Sequence, residues 1–250
     1  MTTTYKNFPQ GLPDSTNLTS ALSTTSGDKM TINVGGDLYS NAGATFASQG
    51  NQGQVWQLVN SASAITNAIF PGTGTLNETS AIAVKMTGRW LVSMPSALQR
   101  IIDVRNTSAG TICRVYLTTG NFPQLQTNGG ATTPFTGTQA LVHDFEYRFE
   151  LGFTLAASGA TVNFGVYLGN NPIPISGNSY TSSVAVTGTG AINSVTFMQN
   201  SIVSGVWDAQ FGGFEAVTGS AAEIGPWTAG TVRPRPIQVY SQAVKRAGMW

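Results

Sequence analysis

Charged side chains are scarce in this sequence. Its 250 residues include 12 Lys or Arg and 11 Asp or Glu, so only 9% are charged, against roughly 25% in ordinary soluble proteins. A surface with so little charge repels its own copies weakly, which suits a subunit that packs against itself. An extracellular β-domain with a hydroxyl-rich surface fits the composition equally well. The net charge of +1 gives no general attraction to nucleic acid or to an anionic membrane, so neither is predicted as a partner.

Long apolar runs and cysteine pairs are missing as well. No run approaches the roughly 20 apolar residues that a membrane-spanning helix needs. The opening MTTTYKNFPQG has neither the basic start nor the apolar centre of a signal peptide, so we expect no membrane insertion and no secretory route. The single cysteine, Cys113, lies in the strand-like run TICRVYLT, which predicts a buried, inert thiol and no internal disulfide.

Few residues have the chemistry that catalysis or metal binding requires. The only histidine, His143, precedes Asp144, and adjacent side chains on a strand point to opposite faces, so we expect these two not to meet. Glu146 and Glu150 form the one same-face carboxylate pair, and at about 13–14 Å apart they are too distant for glycoside hydrolysis. A zinc cluster is excluded in practice, while calcium held by loop carbonyls stays open. We predict no catalytic, cofactor-binding or metal-binding residue and no enzyme.

Glycine, proline and short β-prone runs determine the predicted fold class. With 29 Gly and 11 Pro there is little room for long helices, and the weak helical stretches at 16–23 and 62–69 would not be stable alone. Between the breakers, runs rich in Val, Ile, Thr, Phe and Tyr predict strands at 30–34, 54–59, 82–92, 100–105, 111–118, 184–186, 194–198, 214–218 and 237–244. We therefore predict an all-β fold: an antiparallel, jelly-roll-like β-sandwich.

The clearest strand pattern spans residues 141–155. Its two faces differ sharply: one carries Phe145, Tyr147, Phe149, Leu151 and Phe153, and the other carries Glu146, Arg148 and Glu150. This alternation predicts a central core strand with a solvated charged face. Residues 160–168 repeat the pattern, and the intervening ASGA predicts a turn, so the two runs read as a hairpin.

The two ends of the chain differ from its middle. Residues 1–28 combine Thr, Ser, Asn and Pro with few large apolar groups, which predicts an extended N-terminal arm. Residues 29–250 are predicted to form a single β-sandwich domain with a basic C-terminal strand or tail. That tail contains Arg233, Arg235, Lys245 and Arg246. It suits docking on an acidic neighbour or, with less support, on packaged nucleic acid, and an ordinary solvated strand explains it equally well.

Five tryptophans raise the question of sugar binding, because indole rings stack on sugar rings. Trp56, Trp90 and Trp207 lie inside apolar runs and are predicted to be buried. Trp227 and Trp250 are the candidates for exposure, either to a sugar or to a neighbouring subunit. Packing in the core or in an interface is the favoured interpretation for the set.

The general character of the chain resembles that of bacteriophage virion structural proteins. The features that carry the resemblance are the arm-like opening MTTTYKNFPQGLPDSTNLTS, hydroxyl- and Gly-rich strands, little charge and no secretion signal. It implies a capsid, decoration (cement) or fibre-type subunit, located in the virion, whose partners are its own copies and other virion proteins. The alternative is a carbohydrate-binding module or a receptor-binding adhesin head that uses exposed aromatic residues, with a glycan or host receptor as its partner.

Overall fold

The fold is almost entirely β-structure. The structure, a computed structural model, describes residues 2–8, 26–27, 30–33, 37–41, 46–49, 55–59, 67–71, 76–91, 93–95, 98–106, 110–187, 190–198 and 208–228. Within these residues the strands are β1 (Thr3–Phe8), β2 (Ser26–Gly27), β3 (Thr31–Asn33), β4 (Asp37–Asn41), β5 (Val55–Val59), β6 (Asn67–Phe70), β7 (Ala81–Trp90), β8 (Gln99–Asn106), β9 (Thr111–Leu117), β10 (Pro123–Thr127), β11 (Thr132–Thr136), β12 (Tyr147–Thr154), β13 (Ala156–Leu168), β14 (Pro174–Val186), β15 (Ile192–Phe197) and β16 (Asp208–Thr218). Short 3-10 turns lie at Ala47–Gln49 and Asn128–Gly130.

The strands form two antiparallel sheets. A nine-stranded sheet has the order β14-β13-β12-β7-β16-β1-β2, with β5 paired to β16 beside β1, and β4 paired to β5. A seven-stranded sheet has the order β11-β10-β9-β8-β15-β6-β3. The all-β, antiparallel sandwich predicted from the sequence is confirmed. Among the described residues, no helix has the length and apolar character needed to cross a membrane.

The core lies between the inner faces of the two sheets. Phe197 of the seven-stranded sheet packs against Phe214 of the nine-stranded sheet, with ring centroids 5.1 Å apart. Trp90 contacts the rings of Phe149 and Phe211 edge to face. Along β12, Phe149 and its buried apolar neighbours occupy alternate positions, which is why the alternation in the sequence predicts the core there. In β16, Phe211 and Phe214 are three residues apart, and both lie in the core because the register with β7 shifts between them.

The predicted burial of two tryptophans and of the single cysteine is confirmed. Trp56 and Trp90 are fully buried. Cys113 is a free, buried thiol, and burial raises the pKa of its sulfhydryl group. Trp207 lies outside the described residues.

The hairpin predicted at 141–168 is confirmed, but its first strand begins later and its second begins earlier, so the stretch ASGA predicted as a turn lies within β13, at a register shift. β12 starts at Tyr147 and pairs with β13 from Tyr147↔Leu168 to Phe153↔Val162. Phe145 therefore belongs to a loop, and its side chain is 49% exposed, so its predicted place in the core is wrong. The weak helix at 62–69 is also wrong over its last residues, because β6 begins at Asn67.

The N-terminal segment contributes to the sandwich. β1 pairs with β16 from Thr3↔Thr218 to Asn7↔Phe214, and the ring of Tyr5 lies 6.3 Å from that of Phe70. Residues 9–25 lie outside the described part of the chain. The division into an arm of residues 1–28 and one domain of residues 29–250 stays a prediction.

Candidate functional site

The outer face of the nine-stranded sheet is charged but covered. Arg148 and Glu150 of β12 were predicted to lie on a solvated face, yet both side chains are buried, so that prediction is wrong. Residues 219–228, which we call the strap, follow β16 and return across β7, β12 and β13. Side chains of the sheet bind the strap at intervals along its length.

The sheet holds the strap mainly through the strap's own backbone. The Glu150 carboxylate accepts a hydrogen bond from the Gly225 amide at 2.9 Å, and the Lys85 ammonium donates one to the Gly225 carbonyl at 2.9 Å. The Asn163 amide group donates to the Ala221 carbonyl at 3.1 Å. A Cβ atom at Gly152 would collide with that same carbonyl oxygen, so this glycine permits the close approach of the two backbones.

Trp227 anchors the far end of the strap. Its side chain is 4% exposed, so the prediction that it is available to a sugar or a neighbour is wrong. The indole N–H donates to the Thr87 hydroxyl at 2.8 Å, and the Lys85 ammonium lies 3.8 Å from the ring centroid. Asn170 binds both the amide and the carbonyl of Trp227, at 2.6 and 2.9 Å. Trp227 therefore serves the fold and is not a ligand platform.

The charges under the strap neutralise each other. Burial lowers the pKa of the Lys85 ammonium, and the Glu215 carboxylate at 3.2 Å opposes that shift. The Arg148 guanidinium pairs with Glu150 at 2.6 Å and stacks on Tyr167, 4.1 Å from the ring centroid. Burial raises the pKa of the Tyr167 hydroxyl, and the negative charge of the nearby Glu223 raises it further. Each buried charge thus has a partner, as a structural network requires.

A separate, accessible surface lies at one end of the sandwich. Among the described residues, the exposed large apolar side chains are Leu98, Val142, Phe145, Leu168 and Ile173. Val142 and Phe145 lie in the loop before β12, and Leu168, the last residue of β13, and Ile173 lie beside it. The two segments are adjacent because β12 pairs with β13 at Tyr147↔Leu168 and the Gly169 amide donates to the Glu146 carbonyl at 2.7 Å. We call Val142, His143, Asp144, Phe145, Leu168 and Ile173 the loop-end surface.

The loop before β12 is held firmly in place. The Tyr147 hydroxyl contacts both the amide and the carbonyl of Val142, each at 3.0 Å, and burial raises the pKa of that hydroxyl. The Asp144 amide donates to the Trp90 carbonyl at 2.6 Å, and the Leu141 amide donates to the Asn121 carbonyl at 3.0 Å. These bonds fix the backbone that displays Val142 and Phe145.

Glu146 fastens the same loop to a neighbouring turn. Its two carboxylate oxygens accept hydrogen bonds from the Ala47 and Ser48 amides at 2.8 and 3.0 Å, and Arg89 lies 3.7 Å away. Glu150 is instead engaged with Arg148 and the strap. The two glutamates are therefore not a facing pair, and the structure places each in a different structural network.

His143 and Asp144 contact each other, against the prediction. His143 Nδ1 lies 2.6 Å from Asp144 Oδ2, and both side chains are more than half exposed. The prediction assumed a strand, but the two residues form a turn in which Asp144 has φ of +69°. A turn brings neighbouring side chains together, and aspartate tolerates this left-handed backbone better than most residues do.

The opposite end of the sandwich has an open recess of about 430 Å³. It is lined by Thr79, Leu155, Ala156, Val186, Thr187, Gly190 and Ala191. These side chains are uncharged, and none was proposed from the sequence as a site residue. The described residues contain no group of three or more His, Cys, Asp or Glu placed to hold a metal ion. Trp250, Arg233, Arg235, Lys245 and Arg246 lie outside the described part of the chain.

Comparisons with known proteins identify solved structures that have a similar fold. No family model and no curated protein matches the sequence. Three similar solved structures are a cellulose-induced protein, Cip1 (TM-score 0.54, 14% identity, 77% of this chain and 89% of that chain), a protein of unknown function from Shewanella oneidensis MR-1 (0.53, 14%, 92% and 90%) and peanut lectin with a nine-residue peptide (0.51, 8%, 87% and 97%). At such low identity these likenesses establish the fold, a lectin-like, jelly-roll-like β-sandwich.

Proposed function

We propose that this chain is a binding module that recognises carbohydrate through the loop-end surface. The observation that carries the proposal is Phe145, an aromatic side chain that is 49% exposed and stands next to the exposed, paired side chains of His143 and Asp144. An aromatic ring supplies the apolar platform on which the C–H face of a sugar ring packs. The imidazole and the carboxylate supply hydrogen bonds to sugar hydroxyls.

The rigidity of the loop supports this proposal. Binding is weakened when a loop must be ordered first, at about 0.5–1.5 kcal/mol for each immobilised side chain. The bonds from Tyr147 to Val142 and from Asp144 to Trp90 already hold the backbone in one conformation. Val142 and Ile173, in the same two segments, add further exposed apolar surface at this end of the sandwich. Little ordering is then required when a ligand binds.

The proposal is a binding function and not a catalytic one. The carboxylates of Glu146 and Glu150 are each engaged by backbone amides and an arginine, so neither is poised for proton transfer. A lectin and a cellulose-induced protein share this fold, and a carbohydrate ligand for this chain is in keeping with those neighbours.

A glycan array tests the proposal. We expect the chain to bind a defined set of glycans, and Phe145→Ala to weaken that binding about tenfold, because the stacking contribution of about 1 kcal/mol or more is lost. Phe145→Trp should retain it. Thr133→Ala, an exposed change on β11, is the control and should bind normally. Silence of the wild-type chain across the array, or equal binding by Phe145→Ala, would contradict the proposal.

A structural subunit of a virion is the second candidate. The observation that favours it is the low charge of the chain, 9% of residues with a net charge of +1, which leaves copies free to pack closely. In this proposal the chain works by self-association and by contacts to neighbouring virion proteins. Light scattering at rising concentration tests it: closed assemblies of many copies support it, and a particle that never exceeds a dimer contradicts it.

A further inference from the structure

β14 forms an edge of the nine-stranded sheet. It runs for 13 residues, Pro174–Val186, and pairs with β13 on one side. No described strand pairs with its other side. An edge of this kind presents unpaired backbone N–H and C=O groups to whatever approaches it.

The usual protections of an edge strand are weak along β14. In natural proteins, charged side chains, internal prolines or short length prevent an edge strand from pairing with another chain. β14 has no charged residue, and its one proline is its first residue. The edge of the other sheet, β11, differs: it is five residues long and has Pro134 at its centre.

Among the described residues, hydrogen bonds from outside the sheet reach β14 near its two ends, and in its middle the Tyr180 ring packs against Phe135 of β11, with ring centroids 5.6 Å apart. Near its start, the Thr138 amide donates to the Gly177 carbonyl at 3.0 Å. Near its end, the Asn128 side chain donates to the Ala185 carbonyl at 3.1 Å. Between these contacts lie residues 179–184, of sequence SYTSSV, in which Ser179, Thr181, Ser182 and Ser183 are exposed. Six residues offer about 20 Å of strand for pairing.

A second copy of this chain fits that edge. When an edge strand pairs with its own copy about a two-fold axis, the strands run antiparallel, as every paired strand of this sheet already does. Residues near the axis then face their own counterparts, so a charged residue there would meet a like charge. β14 has none, and the net charge of +1 adds little repulsion at longer range.

We infer that two copies pair along residues 179–184 of β14, about a two-fold axis near Ser182, and that their nine-stranded sheets join into one continuous sheet. Main-chain hydrogen bonds supply the affinity, as in other cases of strand addition. Because the strands are antiparallel, the loop-end surfaces lie at opposite ends of the joined sheet. This inference does not depend on the proposed carbohydrate binding.

Charge variants at one position test the inference. We expect the wild-type chain to sediment as a dimer, and Ser182→Lys and Ser182→Asp each to raise the dissociation constant about tenfold or more, because like charges then meet near the axis. Mixing the two variants should restore a dimer that contains one copy of each. Thr133→Lys, a charge added to the exposed, proline-containing edge strand β11, is the control and should leave the dimer intact.

Three results would overturn the inference: a wild-type chain that stays monomeric at its highest soluble concentration, a Ser182→Lys variant that dimerises like the wild type, or no mixed dimer from the two variants. Circular dichroism of each variant verifies the fold. Glycan binding is measured on separate variants at Phe145, so failure of one proposal is distinguishable from failure of the other.

Discussion

Lys85 illustrates how single residues support the covered face of the nine-stranded sheet. Its side chain is 2% exposed, and its ammonium contacts the Glu215 carboxylate, the Gly225 carbonyl and the face of Trp227. These contacts join β7, β16 and the strap through one group. Removing one member of a buried charge network strongly destabilises the fold, because the charges that remain stay buried without a partner.

We therefore expect Lys85→Met to lower the free energy of unfolding by about 3 kcal/mol, because the buried Glu215 carboxylate loses its buried cation and the Gly225 carbonyl loses its donor. Urea denaturation measures the effect. Lys6→Met is the matched control: Lys6 also pairs with Glu215, at 3.3 Å, but its side chain is 40% exposed, so its loss should have an effect of about 1 kcal/mol or less. Equal effects of the two substitutions would contradict this assignment.

At the scale of elements, alternation in the sequence identified the strands that form the core. β7, β8, β9, β12 and β13 all overlap predicted strands, since each buries one apolar face. β10, β11 and most of β14 were missed, because they are short or rich in Ser, Thr, Gly and Asn and lack apolar alternation. The start of β12 was misplaced because Phe145 continues the aromatic period into a loop.

The strap could not be predicted from local pattern. The sequence showed that Glu146, Arg148 and Glu150 alternate with aromatic residues, and such a face is ordinarily solvated. The segment that covers it lies 75 residues further along at Gly225, and most of its hydrogen bonds to the sheet are made by its backbone, which any sequence has. Trp227 is the one strap side chain that the sequence analysis considered, and an isolated tryptophan in a sequence is compatible with either burial or exposure. Burial of a charged face by a distant segment leaves no periodicity to detect.

Gly152 gives a direct test of the strap. We expect Gly152→Ala to displace the strap, because its Cβ would collide with the Ala221 carbonyl oxygen, and to destabilise the fold by about 1–3 kcal/mol. Faster amide hydrogen exchange at residues 219–228 reports the displacement. Thr161→Ala, at an exposed position of β13, is the control. Unchanged exchange in the strap of Gly152→Ala would show that the two backbones do not approach as described.

For the whole molecule, the two ends and the faces of the sandwich have different roles. Among the described residues, the strap covers charged side chains of β7 and β12 on the outer face of the nine-stranded sheet, and four of the five exposed large apolar side chains lie at one end of the sandwich. The sequence drew attention to His143 and Phe145. It predicted, however, that His143 lies on a strand and does not meet Asp144, and that Phe145 lies in the core. Leu168 ends the apolar alternation of residues 160–168, which predicts a core position, yet it is 46% exposed at the end of β13. Ile173 had no signal, because exposure near a turn depends on how neighbouring strands end and not on the pattern within either.

Carbohydrate binding at the loop-end surface can be mapped by nuclear magnetic resonance, by titrating isotopically labelled protein with a glycan selected on the array. We expect chemical-shift changes to concentrate at residues 142–145 and 168–173, while the signals of Lys85, Asn163 and the strap stay unchanged. Shift changes centred on residues 219–228 and the sheet beneath them would contradict this expectation, because the ligand would then occupy the face that the strap covers.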